Sequence, residues 1–312
     1  MGSAYSSHLH PLLLIVSLLV LPRFLAEAHI VSHLPGFHGA LPFRLETGYA
    51  TIDELTGAQL FYYFIESERN PKEDPLILWL TGGPCCSGLT PLITEIGPIR
   101  FKSLPYNASE GALPQIISHP YSWTKISNII FLDWPVGNGF SFSEDAQDYN
   151  PDDFLSSEVI FKFLMKWYTN HHDFFSNPLY IAGDSYGGKL APIVSLMIAE
   201  GVKQGTVQEW MRCNSTMNYI KNIKNNVEHH LGVTKRGYRV LVYSGDHDAL
   251  VPFLSTMKWI KSLNFSVSEK WRPWRVNGQV AGYTEMYANN LTFATVKVTT
   301  CSSSFFIYAV DF

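Results

Sequence analysis

A chain of 312 residues is long enough for one large α/β domain with a sizeable core. Its net charge of −4, with only 16% charged residues and no run of Lys or Arg, excludes a nucleic-acid surface built on a basic stripe. Hydrophobic residues at 46% and aromatics at 14% exclude a disordered chain.

The first residues read as a targeting segment. The apolar run LLLIVSLLVL, Leu12 to Leu21, falls short of the roughly 20 residues a spanning helix needs. Ala26-Glu27-Ala28 follows with the small-x-small pattern of a cleavage site, so residues 1–28 are expected to be a signal peptide. No later run has spanning length, and the processed chain is expected off the membrane, secreted or vacuolar. Four sequons, at Asn107, Asn214, Asn264 and Asn290, suit that route as glycosylation sites. Cys85, Cys86, Cys213 and Cys301 permit disulfides in an oxidising compartment.

GYATIDELTGAQLFYYFIES, Gly48 to Ser67, alternates aromatic and β-branched residues around a Thr-Gly turn and predicts a β-hairpin. DPLILWLTGGP, Asp74 to Pro84, and ISNIIFLDWP, Ile126 to Pro135, are continuous apolar runs of the kind that lie inside a sheet covered on both faces. Asp152 to Phe175 predicts an amphipathic helix opened by Asp152-Asp153, with Phe154, Val159, Phe161, Phe163, Leu164 and Trp167 at helical spacing. PLYIAG is a third strand, GYRVLVYSGDHDALVP holds a fourth before the helix STMKWIKSL, and LTFATVKV is the last. Strands alternating with helices predict an α/β fold with a mostly parallel sheet.

The sequence IAGDSYGGKLAP, Ile181 to Pro192, places Ser185 between Gly183 and Gly187, after a strand and before a helix. That is the pattern of a nucleophile elbow, a turn so tight that residues two away must be small. It lifts the serine hydroxyl to a helix N-terminus, where N–H groups favour developing negative charge.

Taken together, WLTGGPCCSG, DWPVGNGFSFS, GDSYGGKLAP and YSGDHDALVP resemble the serine carboxypeptidase-like proteins, and RGYRVLVYSGDHDALVPF, WRPW and NGQVAGYT resemble plant members most. The resemblance runs from about His29 to Lys297, with an internal break near residue 201 and a divergent tail at 298–312. It implies the α/β-hydrolase fold and an acyl-enzyme chemistry: C-terminal peptide hydrolysis, or acyl transfer from glucose esters. The ligands implied are a small-molecule acyl donor and acceptor, or a peptide C-terminus, with no cofactor. The oligomeric state is left open. Carried over by motif, Ser185 matches the nucleophile, Asp248 the triad acid, and the N–H groups of Gly83 and Tyr186 the oxyanion hole. Thr81, Gly82, Glu95 and Asp184 match the positions that grip a substrate carboxylate, and Cys86 with Cys213 matches a family disulfide.

The chain departs from that pattern in several places. Thr81 and Asp184 stand where the peptidases carry Asn and Glu, as in the acyltransferase branch, and Cys85 stands where the family has glycine. After Asp248 there is no histidine; the last of the eleven, His247, lies inside GDHD beside the acid itself. FATVK, which in the family leads to a Gly-rich loop bearing the catalytic His, here continues as VTTCSSSFFIYAVDF. Between the Ser185 helix and the Asp248 strand, Val202 to Arg236 contains no apolar β-run, so the lid region and one central strand are expected to be missing. The pairs His171-His172 and His229-His230 lack completing ligands, and no metal site is expected. The expectation is a serine carboxypeptidase-like protein whose own turnover is absent or weak. The alternatives are an active serine-type carboxypeptidase and a non-catalytic secreted glycoprotein isoform.

Overall fold

A computed structural model of the chain describes residues 28–102, 114–200, 219–223, 225–248 and 251–297, and the backbone of 305–310. The expected cleavage site lies at the boundary of this range, and the targeting run lies outside it.

The short β1 (His29–Val31) precedes the expected hairpin, which forms as β2 (Leu45–Asp53) and β3 (Ala58–Ile65). β4 (Leu76–Leu80) leads to a short helix α1 (Leu89–Thr94). β5 (Ile99–Phe101) and β6 (Ile116–Ser118) make a small separate ribbon before β7 (Asn128–Leu132). α2 (Asp153–Asn170) is capped by the Asp152 carboxylate, which accepts the Leu155 N–H. β8 (Leu179–Asp184) and α3 (Gly187–Glu200) flank Ser185. α4 (Val227–Lys235), β9 (Val240–Gly245) and α5 (Phe253–Ser262) follow, then β10 (Val267–Val276), β11 (Gln279–Tyr287) and β12 (Leu291–Val296). A last strand, β13, spans Phe305–Val310.

The main sheet runs β1-β2-β3-β7-β4-β8-β13-β9-β12-β11-β10. β7, β4 and β8 are parallel, as are β9 and β12; the strands outside them are antiparallel. The period of two along β4 sends Leu76, Leu78 and Leu80 to one face, where they meet Ile160, Phe163 and Leu164 of α2 and Leu190, Ala191 and Val194 of α3. Ile77 and Trp79 face the other way, against Leu92, Ile96 and Ile99. Both faces are therefore dry, which is why β4 and β7 read as unbroken apolar runs. Each such leucine or isoleucine contributes about 1.5–3 kcal/mol by burial.

Of the block between α3 and β9, where a central strand is expected to be missing, only residues 219–223 and 225–239 are described, and these form no strand. The slot beside β8 is not left vacant, however. β13 lies in it antiparallel to both neighbours, with Phe305 opposite Asp184 and Val310 opposite Leu179 on one side, and Phe305 opposite Tyr243 and Tyr308 opposite Val240 on the other. FFIYAV is aromatic and β-branched, the composition that takes a strand when two backbone edges are offered. The tail that departs from the family pattern thus completes the sheet. The hairpin of β10 and β11, turning at Asn277-Gly278, is a second feature that the sequence reading did not resolve.

Candidate active site

The site forms where β4 and β8 end side by side. Ser185 directly follows β8 with φ +47, in the left-handed region that a residue with a Cβ adopts only under constraint. The constraint is local crowding. A Cβ on Gly183 would stand 2.4 Å from the Gly187 carbonyl carbon, and one on Gly187 2.0 Å from the Leu80 carbonyl oxygen. Gly-x-Ser-x-Gly is therefore a steric requirement here, because the turn folds back on itself and against the end of β4.

The loop after β4 packs on this turn. A Cβ on Gly82 would lie 2.7 Å from the Ser185 Cβ and 3.0 Å from the Tyr186 nitrogen. The Gly82 N–H donates to Asp184 Oδ1 at 2.9 Å, which fastens the loop to the residue before the serine. Gly83, at φ +122, continues the loop through a cis bond to Pro84. The loop bearing the Gly83 N–H is thereby held against the turn bearing the Tyr186 N–H. Beneath it, buried Asp133 accepts from the Ser87 hydroxyl at 2.6 Å, the Gly88 N–H at 2.8 Å and the Phe140 N–H at 2.8 Å. Burial pushes Asp133 up to about 6 against these bonds.

Asp184 is likewise pushed up to about 6 by burial, with the Gly82 N–H opposing. It makes no hydrogen bond to Glu95 among the described residues; both carboxyl groups act instead on Tyr243 of β9, whose hydroxyl burial pushes up. Thr81 is 4% exposed, and its hydroxyl has no protein partner among the described residues. A buried hydroxyl in that condition is the kind of group a bound ligand oxygen satisfies. Cys85 keeps its thiol, is buried at φ +71, and burial pushes it up to about 12. Cys86 is disulfide-bonded. Its expected partner, Cys213, lies outside the described residues, as do the sequons at Asn107 and Asn214. Asn264 and Asn290 sit in exposed turns.

The Ser185 hydroxyl has no hydrogen bond among the described residues. Asp248, shortly after β9, is buried and accepts the Val251 N–H at 2.9 Å. His247 does not occupy the base position: its side chain is 73% exposed and its Nδ1 lies 2.7 Å from Asp246. His171 is held by Glu46 at 2.7 Å and stacks on Trp167, and buried His230 stacks on Trp259. His229 contacts Phe154. Each is a packing or hydrogen-bonded histidine.

One contributor escaped the sequence reading. Asp153, taken with Asp152 as a helix opener, is fully buried and accepts the Tyr186 hydroxyl at 2.7 Å, so α2 anchors the residue that follows the nucleophile. The doubled acid at the helix start was the signal, but nothing in the sequence tells which of the two turns inward.

The chain is similar to several known proteins. A family model described as serine carboxypeptidase matches residues 35–207 and 199–300, two segments that overlap at 199–207. Serine carboxypeptidase-like 17 of Arabidopsis thaliana is 36% identical over 398 residues, covering 90% of this chain and 90% of that protein. Serine carboxypeptidase-like 10 of the same plant is 37% identical over 410 residues, covering 91% and 92%. Both matches extend over more positions than the 312 residues of this chain, so the relatives carry a block it lacks. A prohormone-processing carboxypeptidase from Saccharomyces cerevisiae superposes with a TM-score of 0.65 at 15% identity, covering 84% of this chain and 87% of that one, which speaks for the α/β-hydrolase fold. The chain is an internally shortened member of the serine carboxypeptidase family.

Proposed function

We propose that this chain is a secretory-pathway protein of the acyltransferase type whose Ser185 site binds an acyl ester or a related carboxylic ligand but does not turn it over. The observation that carries this reading is the pairing of an assembled nucleophile turn with an unserved nucleophile. Ser185 is strained and packed against the Gly82–Gly83 loop, yet its hydroxyl has no described partner and His247 is turned to solvent beside Asp246. A serine hydroxyl needs a neighbouring base to lose its proton as it attacks an acyl carbon. Without one, the N–H groups of Gly83 and Tyr186 can still hold the oxygen of a bound ester. The residual help of such a site is about 10³–10⁴-fold over water.

Thr81 and Asp184 support acyl transfer over peptide hydrolysis as the ancestral chemistry. They offer a short hydroxyl and a short acid where the peptidases present longer Asn and Glu. With Asp184 raised to about 6, mildly acid conditions protonate it and let it donate to a ligand carboxylate. The test is to incubate the chain with a hydroxycinnamoyl glucose ester and with a blocked dipeptide. Binding is followed by calorimetry and product by chromatography. Saturable binding of the ester without product above the Ser185→Ala background supports the reading; steady release of product from either ligand contradicts it.

A further inference from the structure

The segment Tyr219–Ile223 lies across the catalytic turn, and one buried carboxylate fastens it there. Besides the Tyr186 hydroxyl, Asp153 Oδ1 accepts the Tyr219 hydroxyl at 2.9 Å, while Oδ2 accepts the Ile223 N–H at 2.9 Å and the Lys189 ammonium at 3.3 Å. Asn222 Oδ1 accepts the Asp153 N–H at 3.3 Å, and the Ile220 N–H donates to the Pro151 carbonyl at 3.1 Å. The Tyr219 ring meets the Tyr186 ring edge-on, 5.7 Å between centroids. A carboxylate removed from water is stable only while its donors stay in place, so this network holds α2, the nucleophile turn and Tyr219–Ile223 in one arrangement.

Lys221 sits in the middle of the fastened segment. Its side chain is exposed, and Nζ stands 5.5 Å from the centroid of the Tyr186 ring. The same charge reaches Cys85, two residues beyond Gly83. The ammonium is thus near the ring of Tyr186, whose N–H is one of the two oxyanion donors, and its charge is felt at Cys85 on the other loop. Lys189 also lies over the Tyr186 ring, at 4.7 Å, but its ammonium is engaged by Asp153 and by the Tyr186 hydroxyl at 3.1 Å.

We propose that Lys221 is the charge-selecting residue of the Ser185 site, favouring acyl ligands that carry an anion beyond the ester over neutral ligands of the same shape. This rests on the Ser185 site being the acyl-binding site proposed above. Lys221 differs in kind from Thr81, Glu95 and Asp184, which offer a hydroxyl and protonatable carboxyl groups but no cation. A cation on a long flexible stem beside the ring of the residue that follows the nucleophile raises the local concentration of anions without fixing their orientation.

The experiment uses two probes that share ring and ester, diethyl terephthalate and monoethyl terephthalate. The first is neutral and the second carries one carboxylate at neutral pH. Their dissociation constants are measured by ligand-observed NMR on the intact chain and on Lys221→Gln and Lys221→Arg. The anion should bind about three- to fivefold tighter than the neutral ester, the scale of a solvent-exposed charge pair. That gap should close in Lys221→Gln, persist in Lys221→Arg, and shrink as salt rises. An equal gap in Lys221→Gln, or no gap in the intact chain while the neutral ester binds, overturns the assignment and leaves the acyl site standing. Failure of both probes to bind overturns the acyl site and this assignment with it.

Discussion

Strand β13 gives the account its most exposed structural consequence. Its six residues face β8 from Phe305–Asp184 to Val310–Leu179 and face β9 from Phe305–Tyr243 to Tyr308–Val240. In antiparallel pairing every second opposed pair exchanges two bonds, so the strand makes about ten backbone hydrogen bonds to its neighbours. At about 0.5–1.5 kcal/mol each, they sum to about 5–15 kcal/mol, the whole stability of an ordinary domain. Ile307, in the middle of the strand opposite Ala182 and Leu241, is the place to break it. Ile307→Pro removes a ladder N–H and its ring clashes with the pleat. Both Ile307→Pro and a chain ending at residue 304 should show no cooperative urea transition when followed by circular dichroism, and should elute as aggregates. A chain ending at 304 that melts cooperatively as a monomer, with an unchanged midpoint, would refute the placement of 305–310 in the sheet.

The remaining predictions concern charge, sterics and sulfur. Burial pushes Asp133 and Asp184 up to about 6, against about 3.9 in an unfolded chain, so between these values the folded state binds more protons. Their stabilising contribution is complete below about pH 4 and is lost as pH rises through 6; the melting temperature should therefore rise from about pH 7.5 to 4.5, less steeply in Asp184→Asn, and a monotonic fall would contradict the burial. Asp74, held at about 2 mainly by its hydrogen bonds with Arg69, should begin to destabilise the fold only below about pH 4. Gly187→Ala should cost about 3 kcal/mol or more, because its Cβ would stand 2.0 Å from the Leu80 carbonyl oxygen; a denaturation midpoint equal to the parent's would show that the turn relaxes freely. Non-reducing peptide mapping should join Cys86 to Cys213 and leave Cys85 as a thiol, a cross-link worth about 4–5 kcal/mol by loop entropy. A Cys86–Cys301 peptide would overturn that pairing.

Much of this arrangement is legible in the residues alone because single physical constraints dominate there. Leu76–Leu80 and Asn128–Leu132 must be apolar at every position when both sheet faces are dry, and they read that way. The helix Asp153–Asn170 follows from its apolar spacing and the Asp152 cap. The Ser185 turn follows from the glycines that its crowding demands. Other features escape for identifiable reasons. β10 is exposed along almost its whole length and carries no period-two signal; only Asn277-Gly278 marks the hairpin. β13 has a clear strand composition in FFIYAV, but whether it pairs depends on a vacancy created elsewhere in the chain. The inward turn of Asp153 and the seat of Lys221 over Tyr186 depend on contacts between segments far apart in sequence. No local pattern encodes them.

The central proposal is that Ser185 is presented with no base among the described residues to take its proton. The direct measurement is the rate of covalent labelling by a fluorophosphonate probe, with mass spectrometry of the peptide containing Ser185. Labelling of the intact chain should stay near the Ser185→Ala background over hours. It should become fast when the family's Gly-rich His loop and the missing central block are both restored. Rapid stoichiometric labelling of the unmodified chain, abolished by Ser185→Ala, would contradict the claim and require a base recruited from His229, His230 or a second molecule.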